Sequence, residues 1–232
     1  MRTAAAFLTI VGRAAAPDPK ALVWFPVIGV AIGAGLGVVW TAADELWAPA
    51  LVAALVVAAD LAVTGLLHLD GLADSADGLL PHLDRERRLA VMAAPDTGAF
   101  AIGVVGATLL VRFSALATGE PATAVPAALW CTSRTVMAVT MVAVPYARTE
   151  GLATGFRGAR AAPVLAVATV IVAALALTDP VRIAASVGAA VVAGAAVVAF
   201  ARRRLGGYTG DVLGAAGVVG ETVGLVVAAA RW

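Results

Sequence analysis

Residues 46–78 read LWAPALVAALVVAADLAVTGLLHLDGLADSADG, and this stretch decides the fold. Its first part, 46–67, is apolar apart from Asp60 and Thr64. A run of roughly 20 such residues is what an α-helix needs to cross a bilayer core. With no intervening linker the chain then enters His68, Asp70, Asp74 and Asp77, separated by Leu, Ala, Ser and Gly. A membrane span that runs straight into clustered carboxylates points to a polar site built at a membrane boundary. Working outward, comparable apolar windows lie at 22–43, 99–118, 122–145, 163–178, 181–201 and 212–230. No period-two alternation and no fixed repeat occurs, so the expected fold is all-α. It is a polytopic transmembrane bundle of about seven spans, a single integral membrane domain over residues 1–232.

Composition agrees. The chain is 62% hydrophobic and 13% charged, with a mean hydropathy of +0.97. Soluble domains sit near 45–50% apolar and 25% charged, and a soluble chain could not cover this much apolar surface. A net charge of +1 without a basic stripe argues against a nucleic-acid partner. Cys131, alone in an apolar run, excludes an internal disulfide and reads as a packing residue. Arg2, Arg13 and Asp18 without a small-residue cleavage site give no expectation of a cleaved signal peptide.

Orientation follows from Lys and Arg. If seven helices alternate, Arg2, Arg13, Lys20, Arg85, Arg87, Arg88, Arg148, Arg157, Arg160, Arg202, Arg203 and Arg204 share one side. The other side keeps Arg182 and Arg231, while Arg112 and Arg134 fall inside spans. Twelve against two places the N-terminus and the connections 68–98, 146–162 and 202–211 in the cytoplasm. Those connections also hold most of the polar constellations, and they are expected to form the active site.

Asp70, Asp74 and Asp77 stand at i, i+4 and i+7, one face of a helix. Like charges so placed repel, and at a membrane boundary they are partly desolvated. A divalent cation resolves the conflict. Mg²⁺ takes a few carboxylate oxygens and completes its octahedron with water and substrate phosphates. A solvated acidic loop would interleave its aspartates with Ser, Lys or Glu rather than mainly with Leu, Ala and Gly. Gly71 and Gly78 leave room for a ligand or a neighbouring helix.

A second constellation is Gly206-Gly207-Tyr208-Thr209-Gly210-Asp211, which opens a glycine-spaced helix carrying Glu221. Two readings stand. The turn and the positive helix end receive a phosphate, or Asp211 caps the helix and the glycines permit close packing. Glu221, about three turns into a span, requires a partner or a site. Arg134, in Cys131-Thr132-Ser133-Arg134-Thr135, is expected to neutralise Glu221 or a ligand phosphate; Arg112 is expected to pair with Asp60 or to snorkel. Arg148 and Arg157 offer guanidinium forks to phosphate oxygens, or anchor the loop at the membrane. Trp24 to Gly29, with Gly33, Gly35 and Gly37, reads as an aromatic belt entering a small-residue helix face.

Together these residues resemble the cobalamin synthase family, the adenosylcobinamide-GDP ribazoletransferases (cobalamin-5′-phosphate synthases). The likeness runs in order from Trp24-Phe25-Pro26-Val27-Ile28-Gly29 through His68 to Gly78, Asp84 to Leu89 and Gly98-Ala99-Phe100. It continues with Ser133-Arg134, Ala147 to Gly151, Gly207 to Asp211 and Glu221. The aspartate block is its most specific part. Where the family looks like Met-x-Asp-Ser-x-x-Gly, this chain departs with Met92-Ala93-Ala94-Pro95-Asp96-Thr97-Gly98.

The resemblance implies the step that joins the cobalamin nucleotide loop. A hydroxyl of α-ribazole, or of its 5′-phosphate, attacks the phosphate of adenosylcobinamide-GDP that bears the corrinoid arm. GMP leaves, and adenosylcobalamin or its 5′-phosphate forms. On this reading Asp70, Asp74 and Asp77 hold Mg²⁺ against the pyrophosphate. Asp84 or Asp211 holds a second metal or accepts the hydroxyl proton, with His68 a competing base. Arg88, Arg134 and Arg148 clamp phosphate, and Gly207, Thr209 and Glu221 complete the substrate site. The expected location is the cell inner membrane, with the site facing the cytoplasm. A CDP-alcohol phosphotransferase would show Asp-Gly-x-x-Ala-Arg, but Asp74 and Ser75 occupy its last two positions. An aspartate-rich prenyltransferase would carry two separated acidic motifs. A secondary transporter would place ionisable residues near the midplane in paired broken helices.

Overall fold

Each apolar window becomes a helix. The computed structural model describes residues 1–11, 16–149, 151, 155–156 and 158–231. Helix α1 (Arg2–Leu8) and a 3₁₀ turn (Pro19–Trp24) lead into α2 (Phe25–Asp44), α3 (Pro49–Thr64), α4 (Leu67–Leu79) and α5 (Arg85–Val91). These are followed by α6 (Ala99–Thr118), α7 (Ala124–Ala143), α8 (Ala161–Ala176), α9 (Pro180–Leu205) and α10 (Gly210–Ala228). Proline sits in the first turn of α2, α3 and α9, where a missing N–H removes no helix bond. Gly206 closes α9 at φ 77°, after a last turn whose Arg202, Arg203 and Arg204 oppose the negative end of the helix dipole.

The window 46–67 is not one straight span. Gly65 and Leu66 both adopt φ 59°, and α4 leaves α3 at 90°. A left-handed non-glycine residue costs about 1–2 kcal/mol, so the surroundings must hold the break. The N-terminal segment does this. The Ile10 N–H donates to the Val63 carbonyl at 3.1 Å, and the Ile10 side chain lies directly over Gly65. In consequence the segment 68–98, expected as a loop, contains two helices, and we read α4 as lying outside the span, across the end of the bundle.

Among the described residues five helices are long and apolar enough to cross a membrane: α2 with its preceding turn, α6, α7, α9 and α10. The bent pair α3–α4 passes the same test only when its two helices are taken as one span. With 16 residues, α8 extends about 24 Å, short of the ~30 Å hydrocarbon core. By length and composition alone α8 therefore does not count among the candidate spans, although it runs between the same two ends of the bundle as α9.

At the centre, α7 packs against α2, α8, α9 and α10, while α10 packs against α4, α6, α7 and α9. Leu129, Trp130, Met137 and Leu225 are buried there, and Cys131 is a buried free thiol. At Gly29, Gly33 and Gly37 a Cβ would collide with backbone at Trp130, Pro126 and Thr123, so the small-residue face of α2 serves packing. Ile102, Leu110, Val170 and Val192 point outward, as lipid-facing side chains do. At one end Arg182 donates to the carbonyls of Ala228 and Glu120, both at 2.8 Å.

Gly65→Ala should be destabilising, since the added methyl meets both a left-handed backbone and Ile10. The expected loss is at least ~1 kcal/mol, read as a lower thermal midpoint of the detergent-purified protein. An unchanged midpoint would show that the break is held some other way.

Candidate active site

At the end opposite Arg182 the three long connections meet, and one side chain ties them. Arg85 Nε donates to the Leu205 carbonyl and Arg85 Nη2 to the Ala147 carbonyl, both at 2.8 Å. The second and third connections also pair directly. Tyr208 N donates to Pro145 O at 2.9 Å and Ala147 N to Tyr208 O at 2.8 Å, and the rings of Tyr146 and Tyr208 lie 5.3 Å apart. Gly207 leaves room for the Pro145 carbonyl, with which a Cβ would collide. The cap of α10 is Thr209, not Asp211: Thr209 Oγ1 accepts from Val212 N at 3.3 Å. Arg13, Glu150 and Arg157 lie outside the described residues.

Two glycines set the contact between α4 and α10. A Cβ on Gly71 would lie 2.7 Å from the Asp211 carbonyl, and one on Gly214 would lie 3.0 Å from the His68 carbonyl. Without side chains there, the first turn of α10 settles on α4 and carries Asp211 toward Asp70 and Asp74. The electrostatic result is visible at Asp74. Burial first, then repulsion from Asp211 and Asp70, push its carboxyl up to about 6, with Arg148 pulling the other way. Arg148 Nη2 stands 3.3 Å from Asp211 Oδ2, and Arg148 Nε is buried with no hydrogen-bond partner among the described residues. Thr209 Oγ1 lies 3.2 Å from the same carboxylate oxygen.

Other residues expected at the site have tasks in the fold. Asp77 does not share the surroundings of its two neighbours. Its Oδ2 accepts from Gly98 N at 2.6 Å and its Oδ1 from Ala101 N at 2.9 Å. Gly98 has no side chain with which to cap α6, so a carboxylate from α4 satisfies those orphan N–H groups. Asp84 is the exposed N-cap of α5, accepting from Arg87 N at 2.8 Å. Among the described residues no hydrogen bond or ion pair joins it to the other aspartates. Arg88 is buried, and its Nη1 donates to the carbonyls of Gly78 and Leu79 at 2.8 Å each, which closes the C-terminal end of α4.

The donor set suits a hard cation. Asp70, Asp74 and Asp211 offer carboxylate oxygens, and burial with their mutual repulsion already raises Asp74. Among the described residues no three His, Cys, Asp or Glu side chains converge as a ready-made metal cage. Mg²⁺ does not require one, because it is commonly bound through one or two carboxylates plus water and substrate phosphates.

Beneath this surface layer lies a buried ionic layer. Glu221 accepts from Arg134 Nη1 through Oε1 and from Arg112 Nη2 through Oε2, the latter at 2.9 Å. Arg112 Nη1 also pairs with Asp60 Oδ2 at 2.5 Å, and Trp130 Nε1 donates to Asp60 Oδ1 at 2.9 Å. Ser133 Oγ donates to Glu221 Oε1 at 2.7 Å. Arg134 Nη2 lies 3.5 Å from His68 Nδ1. Of the two readings of each buried arginine, the structure has Arg134 on Glu221 and Arg112 on Asp60. His68 and Glu221 belong to this buried layer, away from the partly exposed aspartates of α4.

Residues 1–229 match the profile of the family described as Cobalamin-5-phosphate synthase. The chain belongs to that family. Proteins named adenosylcobinamide-GDP ribazoletransferase are its relatives. The one from Chlorobium phaeovibrioides is 34% identical over 92% of this chain and 88% of its own length. The Escherichia coli protein is 36% identical over 89% and 86%, and the Pseudomonas aeruginosa protein 42% identical over 57% and 55%. No solved structure matches the chain.

Within this cobalamin-5-phosphate synthase family member, sequence reasoning missed Arg85 as the tie between connections, because donation to main-chain carbonyls leaves no pattern in a sequence. It also missed the Trp130–Asp60 bond, which the bundle makes across 70 positions.

Arg112→Met would leave Asp60 and Glu221 with one guanidinium between them in an apolar layer. Breaking such a pair costs about 3–5 kcal/mol. The expected result is a sharp fall in monodisperse protein recovered from membranes and in its thermal midpoint. Near-normal recovery would mean that the network contributes little to the fold.

Proposed function

We propose that this membrane protein is an adenosylcobinamide-GDP ribazoletransferase of the inner membrane, with its active site facing the cytoplasm. A hydroxyl oxygen of α-ribazole, or of its 5′-phosphate, forms a new bond to the phosphorus that carries the corrinoid arm. The bond from that phosphorus to GMP breaks, and the hydroxyl proton goes to a carboxylate. The observation that carries this reading is the placement of Asp70, Asp74 and Asp211 beside Arg148 where the three long connections meet.

Displacement at a pyrophosphate needs charge neutralisation and alignment more than covalent catalysis. Asp70 and Asp74 would hold Mg²⁺, which supplies Lewis-acid neutralisation of the phosphate oxygens. Arg148, with donor capacity left at Nε, binds a phosphate oxygen. Asp211 sits within reach of both groups and is the best-placed acceptor for the hydroxyl proton. Arg134 and Glu221 act from beneath by holding α7 and α10 in register. Asp77, Asp84 and Arg88 hold helix ends.

Asp74→Asn keeps shape and removes charge. GMP release from adenosylcobinamide-GDP and α-ribazole should fall at least ~100-fold, with part of the loss recovered by raised Mg²⁺ or by Mn²⁺. Asp77→Ala should instead lower the thermal midpoint through the lost cap, about 1 kcal/mol, while keeping most turnover per folded molecule. A wild-type-like, flat Mg²⁺ curve for Asp74→Asn would remove the metal reading.

Orientation has its own test. Reporters fused after residue 90, 155 or 206 should read cytoplasmic, and those after 119 or 179 should read from the opposite side. A reversed signal at 206 would put the arginine-rich end outside.

A further inference from the structure

A cleft of about 980 Å³ opens on the side of the bundle between α8 and α9, with α7 as its floor. Both helices pack on α7 but touch each other little, so they diverge and leave the wedge between them. The cleft is at the top of the ~300–1,000 Å³ range of ligand sites, and none of its lining residues belongs to α4. Its walls are aliphatic, among them Val139, Leu165, Val172 and Val191. Thr132, Thr135, Thr140 and Thr169 also line it, and the hydroxyls of the first two donate to the carbonyls of Ala128 and Cys131 in their own helix. They are thus already occupied within α7. The charged lining residues are Arg202 and Arg203, both at one end. Both are exposed, and among the described residues neither has a carboxylate within ion-pair distance.

We propose that this cleft binds an anionic phospholipid, its acyl chains along α7 and its phosphate between Arg202 and Arg203. Dimension and charge carry the assignment. The α7 floor runs from Thr132 to Val144, about 18 Å along a helix, close to the ~15 Å depth of one leaflet. The arginines then fall at headgroup level, where basic side chains attract anionic lipid. A polar small molecule would find few hydrogen-bonding groups in the depth of the cleft. A zwitterionic lipid would fit the walls equally well but would gain less from two unpaired guanidiniums.

The test is native mass spectrometry of the full chain in detergent, titrated with dioleoyl phosphatidylglycerol or dioleoyl phosphatidylcholine. The glycerol lipid should be retained about 10-fold more tightly. Arg202→Gln with Arg203→Gln should reduce it to the level of the choline lipid without changing the thermal midpoint, since both side chains are exposed. Ala195→Trp, which fills the wedge, should abolish retention of both lipids. Equal retention of the two lipids by the wild type would overturn the proposal, as would a preference that survives loss of the arginines. A lipid-free dimer that Ala195→Trp disperses would assign the cleft to a second copy of the chain instead.

Discussion

Glu221 between Arg112 and Arg134 is the constraint on which the rest of the architecture rests. In an apolar layer an unpaired charge is far more costly than in water, so each member of the network is obliged to find its partner. Their positions on different helices turn that obligation into geometry. Asp60 belongs to α3, Arg112 to α6, Arg134 and Trp130 to α7, and Glu221 to α10, with His68 of α4 beside Arg134. Two acids and two guanidiniums balance, and the five helices cannot slide past one another without stranding one of them. Replacing such a network by apolar residues can be neutral for stability, so its value here lies in register.

Register matters because the candidate site lies one layer above. Once Glu221 fixes the height of α10, its first turn meets α4 where Gly71 and Gly214 allow backbone contact. Asp211 then arrives beside Asp70 and Asp74, and burial together with this concentration of negative charge makes Asp74 harder to ionise than an ordinary carboxyl. That charge is balanced only in part, by Arg148. On the proposed function, a phosphate substrate and its cation would complete the balance. Arg85 contributes differently, by pinning the second and third connections to α5 so that Arg148 has a defined place.

The break at Gly65 and Leu66 shows how local chemistry and tertiary packing share the work. Glycine permits the left-handed turn, but Leu66 does not favour it, and the adjoining apolar run would otherwise continue as a straight helix. Contact with Ile10, far away in the chain, settles the matter. The same contest explains why, among the described residues, seven apolar windows give only five candidate spans, or six with the bent pair: one window is bent, and α8 is short.

Apolar runs, caps and prolines by themselves determined the helices, because a bilayer leaves the backbone no other partner for its N–H and C=O groups. The aspartate spacing likewise exposed the candidate site, since clustered like charges beside a membrane have little structural use. The pairing of Arg112 with Asp60 and of Arg134 with Glu221 was within reach as well, because intramembrane charges have few partners to choose from. What only the tertiary structure decided is which polar groups remain available. Asp74 and Asp77 are alike in sequence, three residues apart on one helix. They differ because the start of α6, at a glycine that cannot cap itself, lies against one and not the other. Arg88 and Arg148 are distinguished in the same way, one filled by the carbonyls at the end of α4, the other left beside Asp211 with an N–H that has no partner among the described residues. A sequence records the donors and acceptors a chain carries, whereas their assignment to one another depends on distances that only the packed helices set.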